Sequence, residues 1–176
     1  MPIRIDAYTT TGMASGWLQG TARVREPLER GESIHLASVT WQALDDLAAT
    51  TLAEVDLEPD DIVVLASDDE TFVPVHAAWH AVGLNAGPYR IEAELPTQPG
   101  FDPGRALTRP SGEFVLLRSV RLALLARPEV GTVEFDHALV NRYVVDRVEA
   151  DLMLGFFFPG AEVDTSKLPA PSPSQG

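Results

Sequence analysis

Two histidines four residues apart, His76 and His80, have the spacing at which a helix could offer both side chains to one metal ion. The flanking Pro74 and the alternating Val73 and Val75 favour a strand instead. On a strand the two imidazoles share a face but lie about 13 Å apart, at ~3.3 Å per residue, which is too far for a shared ion. We therefore expect two ordinary polar-face histidines and no metal.

The acidic segment at residues 56–61 (DLEPDD) has carboxylates at its first, third and fifth positions, as a calcium loop does. A calcium loop also needs glycine at position six and glutamate at position twelve, where this chain has Asp61 and Ser67. Pro59 suits a turn. The segment is therefore predicted to be a solvated hairpin tip, and residues 67–70 to be a second acidic turn.

Nucleophilic chemistry has no recognisable setting in the sequence. The chain has no cysteine, and no serine has the Gly-x-Ser-x-Gly context that exposes a nucleophile. Gly12, Gly16 and Gly20 are evenly spaced but match neither phosphate-loop signature. We expect no catalytic constellation and no cofactor.

The amino-acid composition limits the classes of partner that the protein is expected to bind. The 176 residues include 26 acidic and 13 basic side chains, a net charge of −13, which argues against nucleic acid as a partner. No apolar run reaches the ~20 residues of a membrane helix, and the first residues lack the form of a signal peptide, so a cytoplasmic protein without membrane contact is expected. The acids of the first half suggest a protein with a basic surface as a possible partner.

An internal repeat is the main organisational feature. Residues 31–39 (GESIHLASV) align with residues 112–120 (GEFVLLRSV) at an offset of 81, with five identities that include Ser38 over Ser119. The features around this segment follow in the same order in both halves. The spacing predicts a duplication, with Val39 and Val120 at equivalent places.

Each copy has the pattern of five short strands. Apolar and polar residues alternate in the first strand of each copy, and turn residues recur every 8–14 positions, as in small antiparallel barrels and sandwiches. In copy one an irregular segment at residues 24–31 is expected before the third strand, and residues 51–55 are expected to form the fourth. In copy two a turn is expected at Asp136-His137.

We predict an all-β protein of two similar small antiparallel barrel-like halves packed together. Copy one would span residues 1–70 and copy two residues 71–160, the latter with an extra C-terminal strand. Residues 161–176, rich in Pro and Ser, would form a disordered tail.

Three segments carry a family resemblance: residues 99–107, 114–117 and 140–142. Through them, about 65 residues of copy two resemble an uncharacterised bacterial small-β domain of hypothetical proteins. The general shape is similar to Sm-like and SH3-like barrels. The resemblance implies a fold type and no settled activity.

Two sets of residues are candidates for binding. An aromatic and arginine set would line a ligand site in a cleft between the two copies; it comprises Trp17, Trp41, Trp79, Tyr89, Arg90 and Arg105. An apolar set near the end of the fold would support self-association as an unguarded edge strand; it comprises Leu154, Phe156, Phe157 and Phe158.

These observations predict a non-enzymatic binding or assembly module that acts through protein–protein contacts and forms a homodimer or higher oligomer. The alternative is a small-ligand or flavin-type binding barrel with its site between the copies. A third hypothesis, a metal-dependent enzyme, rests only on His76 and His80.

Overall fold

The computed structural model of the protein describes residues 2–20, 23–68, 77–97, 112–150 and 157–164. The first half of the chain forms five strands and one short helix. They are β1 (Ile3–Thr9), β2 (Gly12–Leu18), α1 (Arg25–Glu29), β3 (Ile34–Ala43), β4 (Ala49–Leu57) and β5 (Ile62–Ser67). A 3-10 helix at Pro59–Asp61 joins β4 to β5.

The described part of the second half contains six strands. It contains β6 (Ala78–Ala86), β7 (Tyr89–Thr97), β8 (Phe114–Leu124), β9 (Thr132–Asn141), β10 (Val145–Glu149) and β11 (Glu162–Asp164). A 3-10 helix at Arg142–Val144 joins β9 to β10, as the 3-10 helix of the first half joins β4 to β5. No helix among these described residues has the length and apolarity to cross a bilayer.

Two compact units divide the chain, and each is discontinuous in sequence. The first unit comprises Met1–Val73, Ser111–Leu116 and His137–Asn141; the second comprises Pro74–Pro110, Leu117–Asp136 and Arg142–Gly176. Strands β8 and β9 therefore each contribute one part to each unit. Neighbouring strands pair antiparallel in the first unit in the order β9-β5-β1-β2-β3-β4.

The predicted all-β class is confirmed, whereas a closed barrel is not observed. The described strands belong to one eleven-stranded sheet that ends in β4 at one edge and β11 at the other. In the second unit the order is β11-β10-β6-β7-β8-β9. The pairs β10–β6, β6–β7 and β7–β8 are antiparallel, and β11 is parallel to β10.

Each unit buries an apolar interior because one face of its strands is apolar. The interior of the first unit includes Ile5, Leu36, Val39 and Ile62, all fully buried, with Phe114 packed against them. In the second unit the largest fully buried side chains are Leu84, Tyr89, Ile91, Leu95, Leu117 and Phe158.

Local details differ from the sequence-based expectations. The proline-containing segment before β3 forms α1, with Pro27 inside this short helix, where an irregular loop is expected. The turn predicted at Asp136-His137 is wrong, because β9 runs straight through both residues. The short strand β11 lies within the segment predicted to be disordered, and residues 165–176 lie outside the described residues.

Candidate functional site

The outer edge of β4 is the first candidate site, and the β3–β4 hairpin positions it. The two strands pair over eight residue pairs, from Ile34↔Leu57 to Gln42↔Ala49. The connecting turn is fixed by its aspartates, since the carboxylate of Asp46 accepts the backbone N–H of Ala48 at 2.8 Å. Strand β4 is therefore held along one side only, by β3, among the strands that the structure describes.

Exposure distinguishes β4 from the other strands of the first unit. Residues 49–54 are all exposed, and Leu52 keeps 36% of its surface accessible. Its cross-strand partner Val39 is fully buried. Cross-strand partners share a face of the sheet, so the apolar surface of the core continues to the edge at Leu52.

Residues 49–53 of β4 carry no charge and no proline to protect the edge from pairing. Ala49–Leu57 contains no Lys, Arg or Pro, the residues that commonly prevent edge-to-edge pairing. Its only charges are Glu54 and Asp56. His35 on β3 contacts both, with its Nδ1 at 2.6 Å from the Asp56 carboxylate and its Nε2 at 3.6 Å from that of Glu54. The hydrogen bond to Asp56 raises the pKa of His35 above its ordinary value.

A cavity in the second unit is the second candidate site. It has a volume of about 610 Å³, and strands β7, β8 and β9 line it with Glu92, Ala93, Glu94, Ser119, Val120, Arg121, Glu134, Phe135 and Asp136. A bulge shapes it, because Ser119 and Val120 together face the single residue Ala93 on β7. Four of the lining side chains are carboxylates, and Arg121 pairs with Glu134 at 3.1 Å.

Trp79 lies in the same unit and carries a cation against its ring. The guanidinium carbon of Arg118 is 4.1 Å from the ring centroid, and Arg118 Nη2 lies 3.1 Å from the Glu94 carboxylate. The arrangement is a cation–π contact anchored by an ion pair. The Arg118 guanidinium therefore occupies this face of the Trp79 ring.

The structure assigns the other proposed ligand residues to separate surroundings. In the first unit, Trp17 is 39% exposed with Arg4 stacked 5.6 Å from its ring, and Trp41 is half-buried against Gly12. In the second unit, Tyr89 is buried. Arg105 lies outside the described residues.

Arg90, the remaining member of that set, belongs to an ion-pair network. Its Nη2 lies 2.6 Å from the carboxylate of Glu149, which is 8% exposed, and its Nη1 donates to Asn85 at 3.1 Å. Arg147 contacts Glu149 at 3.3 Å and Asp164 at 2.6 Å. A Cβ on Gly83 would lie 2.5 Å from the Arg90 guanidinium, so the glycine leaves the space that the arginine fills.

The apolar set proposed for self-association is only partly described. Phe157 and Phe158 lie in a turn and are 7% and 0% exposed, because they fill the core of the second unit. Leu154 and Phe156 lie outside the described residues. Phe157 and Phe158 therefore offer no surface for self-association in the described chain.

The two histidines and the acidic segment were the other possible metal sites in the sequence. His76 lies outside the described residues, and His80 hydrogen-bonds Thr97 at 2.8 Å. The acidic segment carries the 3-10 helix at Pro59–Asp61. The described ranges hold no group of three or more His, Cys, Asp or Glu side chains that could bind a metal ion.

One polar cluster in the first unit escaped the sequence analysis. Asn141 is buried, and its amide donates to the Ile62 carbonyl and to the Glu113 carboxylate, each at 3.1 Å. Burial and the neighbouring Asp60 raise the pKa of Glu113. The cluster joins residues 79 positions apart, so no local signal could reveal it.

A scan of protein-family models and searches of curated proteins and of solved structures found no match to this chain.

Proposed function

We propose that the protein is a non-enzymatic assembly module that associates with itself by adding a strand to the open edge of β4. The observation that carries the proposal is the run of exposed residues 49–54 on a terminal strand without Lys, Arg or Pro. A terminal strand presents a row of backbone donors and acceptors to any extended chain that reaches it.

Side chains at the edge suit the same mode of binding. Leu52 continues the apolar face next to buried Val39, so an added strand would remove it from water. Thr50 and Thr51 are β-branched and favour the extended backbone that such pairing requires. The backbone gives affinity in this mode, and the alternating side chains give selectivity.

The assembly unit, in this proposal, is a duplicated five-stranded module with a barrel-like curl. Support comes from the registers of the two halves. Strand β1 pairs with β5 through Tyr8↔Val64, and β6 pairs with β10 through Asn85↔Arg147. The register shifts by one residue next to each of these pairs. Sequence copies that keep the same pairing irregularity fit descent from one ancestral module.

The experiment compares the mass in solution of three proteins across a concentration series. The wild type is expected to exceed its 19.1 kDa monomer mass increasingly as concentration rises. Two lysines on the edge, Thr51→Lys with Ala53→Lys, should leave a monomer, because edge charges oppose strand pairing. The matched control, Thr40→Lys with Ala81→Lys, places the same two changes at exposed positions of interior strands and should assemble as the wild type does. A wild type that stays monomeric at high micromolar concentration would overturn the proposal, as would a β4 variant that assembles normally.

A second candidate function is the binding of a small cation in the second unit. The observation that favours it is the cavity of about 610 Å³, within the usual size range of ligand sites, with four carboxylates on its lining. A titration with spermidine, followed by the NMR shifts of Ser119 and Val120, should saturate in the wild type. It should weaken in the pair Glu92→Gln and Asp136→Gln. Unchanged shifts in the wild type would exclude the cation site.

A further inference from the structure

We propose that the strand received by the β4 edge is β10 of a second copy of this chain, and that β11 covers β10 until that copy docks. This inference rests on the proposed function, since it names the partner of the β4 edge. The outcome would be head-to-tail assembly, in which each chain offers one β4 edge and one β10 edge.

The first unit already contains a pairing of the required kind. Strand β5 accepts β9 on its outer side in antiparallel register, with Val64↔Val140 and Leu65↔Leu139. In the duplicated series β5 is the fifth strand of the first copy and β9 is the fourth strand of the second. A fourth strand thus adds to a fifth strand within one chain.

The equivalent edge of the second copy lies on β10, where β11 now sits. Its contacts are Arg147↔Glu162 and Val148↔Val163. Arg147 and Val148 stand 83 positions after Val64 and Leu65, the residues through which β5 holds β9. The strand β11 therefore covers the same two positions on β10 that an added fourth strand would use.

Pairing by β11 has the features of a replaceable strand. It is three residues long and parallel to β10, whereas β9 is antiparallel to β5. Parallel pairs are slightly less stable per residue than antiparallel pairs. A longer antiparallel strand would therefore compete well for the β10 edge.

The same offset of 83 positions identifies β4 as the fourth strand that pairs with no fifth strand among the described residues. The 3-10 helices at Pro59–Asp61 and Arg142–Val144 are also 83 positions apart, and each links a fourth strand to its fifth. Counted back from these helices, the end of β4 near Leu57 corresponds to Val140 on β9, which holds β5. Strand β9 has its fifth-strand partner, while β4 ends the sheet.

The exchange of β11 for β4 changes the carboxylates near Arg147. Arg147 on β10 is held by Asp164 of β11 at 2.6 Å. Displacement of β11 removes that carboxylate, and β4 carries Glu54 and Asp56 at its end. In the register given by the 83-position offset, Leu57 would lie opposite Arg147 and Asp56 opposite Val148, and Arg147 keeps its contact with Glu149 at 3.3 Å.

The absence of cysteine from the chain allows a direct crosslinking test in the full-length protein. Two single-cysteine variants are made, Glu58→Cys directly after β4 and Asp146→Cys on β10, both at exposed positions that the 83-position offset places opposite one another. Each is oxidised alone and in an equal mixture, with and without Val163→Pro, which disrupts the middle of β11. Far-UV circular dichroism confirms that each variant keeps its sheet. Glu162→Ala, an exposed substitution on the same strand, is the control for Val163→Pro.

The expected result is a disulfide-linked dimer in the mixture and none in either variant alone, with Val163→Pro lowering the concentration for half-maximal dimer at least about tenfold. Crosslinking of Glu58→Cys alone would show a β4–β4 pair, which overturns this inference and leaves strand addition at β4 intact. Absence of every crosslink in folded Val163→Pro proteins would overturn the inference as well. Light scattering of the β4 lysine variant separately decides the proposed function.

Discussion

Ser38 and Ser119 adopt the same unusual backbone conformation at the same place in the two halves. Their φ angles are +53° and +51°, in the left-handed region that non-glycine residues rarely occupy. Each begins a bulge in the third strand of its copy, where Ser38 and Val39 face Gly16 and Ser119 and Val120 face Ala93. Two bulges 81 positions apart match the offset of the sequence repeat.

This correspondence predicts that Ser38→Gly and Ser119→Gly each stabilise the protein. Glycine relieves a left-handed backbone that costs other residues roughly 1 kcal/mol, so each change should raise the free energy of unfolding by about that amount. Chemical denaturation measures the effect. The control Thr40→Gly, in β3 but outside the bulge, should lower the stability by about 0.5–1 kcal/mol. Opposite signs at the two serines would contradict their equivalence.

The His35–Asp56 contact predicts a pH-dependent tie between β3 and β4. The pKa of His35 is raised from 6.5, so the stabilisation is complete below 6.5 and is lost as pH rises through the raised folded value. NMR titration of the imidazole should give a midpoint above 6.5 that falls in Asp56→Asn. Glu54→Gln, whose carboxylate is farther from the ring, should cause a smaller fall. A midpoint unchanged by Asp56→Asn would show that the contact does not form in solution.

The charged form of Glu113 destabilises the fold, in contrast to the carboxylate of Asp56, which stabilises the charged form of His35. Its raised pKa means that the protonated form stabilises the fold below the unfolded value of 4.5, and that this gain is lost as pH rises through the folded pKa. Glu113→Gln should therefore raise the melting temperature by about 1–3 °C at neutral pH and by less near pH 4. The exposed Glu32→Gln serves as the control. An equal shift at both pH values would contradict the explanation.

The Arg90 network predicts a structural role for an arginine that the sequence suggests as a ligand residue. Arg90→Ala leaves the buried Glu149 with one cation fewer, and should lower the free energy of unfolding by about 2 kcal/mol. Arg121→Ala, which breaks an exposed pair, should cost about 0–1 kcal/mol. Denaturant titrations of the two variants would contradict this role if they gave equal losses.

Local patterns in the sequence predict most of the strands. Alternating residues around Ile3 and Ile5 predict β1, and the aligned Ser38 and Ser119 anticipate the paired bulges. The three consecutive phenylalanines predict part of an edge strand, but Phe157 and Phe158 lie in a buried turn. A strand pattern cannot distinguish an edge from a turn that closes over a core.

The edge position of β4 depends on pairing between strands far apart in the sequence, which local sequence patterns do not reveal. The sequence predicts a strand at residues 51–55, yet the edge position of β4 follows from which strand pairs with β5, and that partner is β9, about 75 positions along the chain. The Arg90–Glu149 pair and the Asn141 cluster also join distant residues. Candidate sites built from such contacts have no local sequence signature.

Amide hydrogen exchange of β4 as a function of protein concentration tests the central claim most directly. Strand addition predicts that the amides of residues 49–54 become more protected as concentration rises, while those of the interior strand β1 stay the same. The lysine pair Thr51→Lys and Ala53→Lys should remove this dependence. If β4 amides exchange at the same rate from low to high micromolar concentration in the wild type, the β4 edge does not receive a strand and the proposed assembly function is wrong.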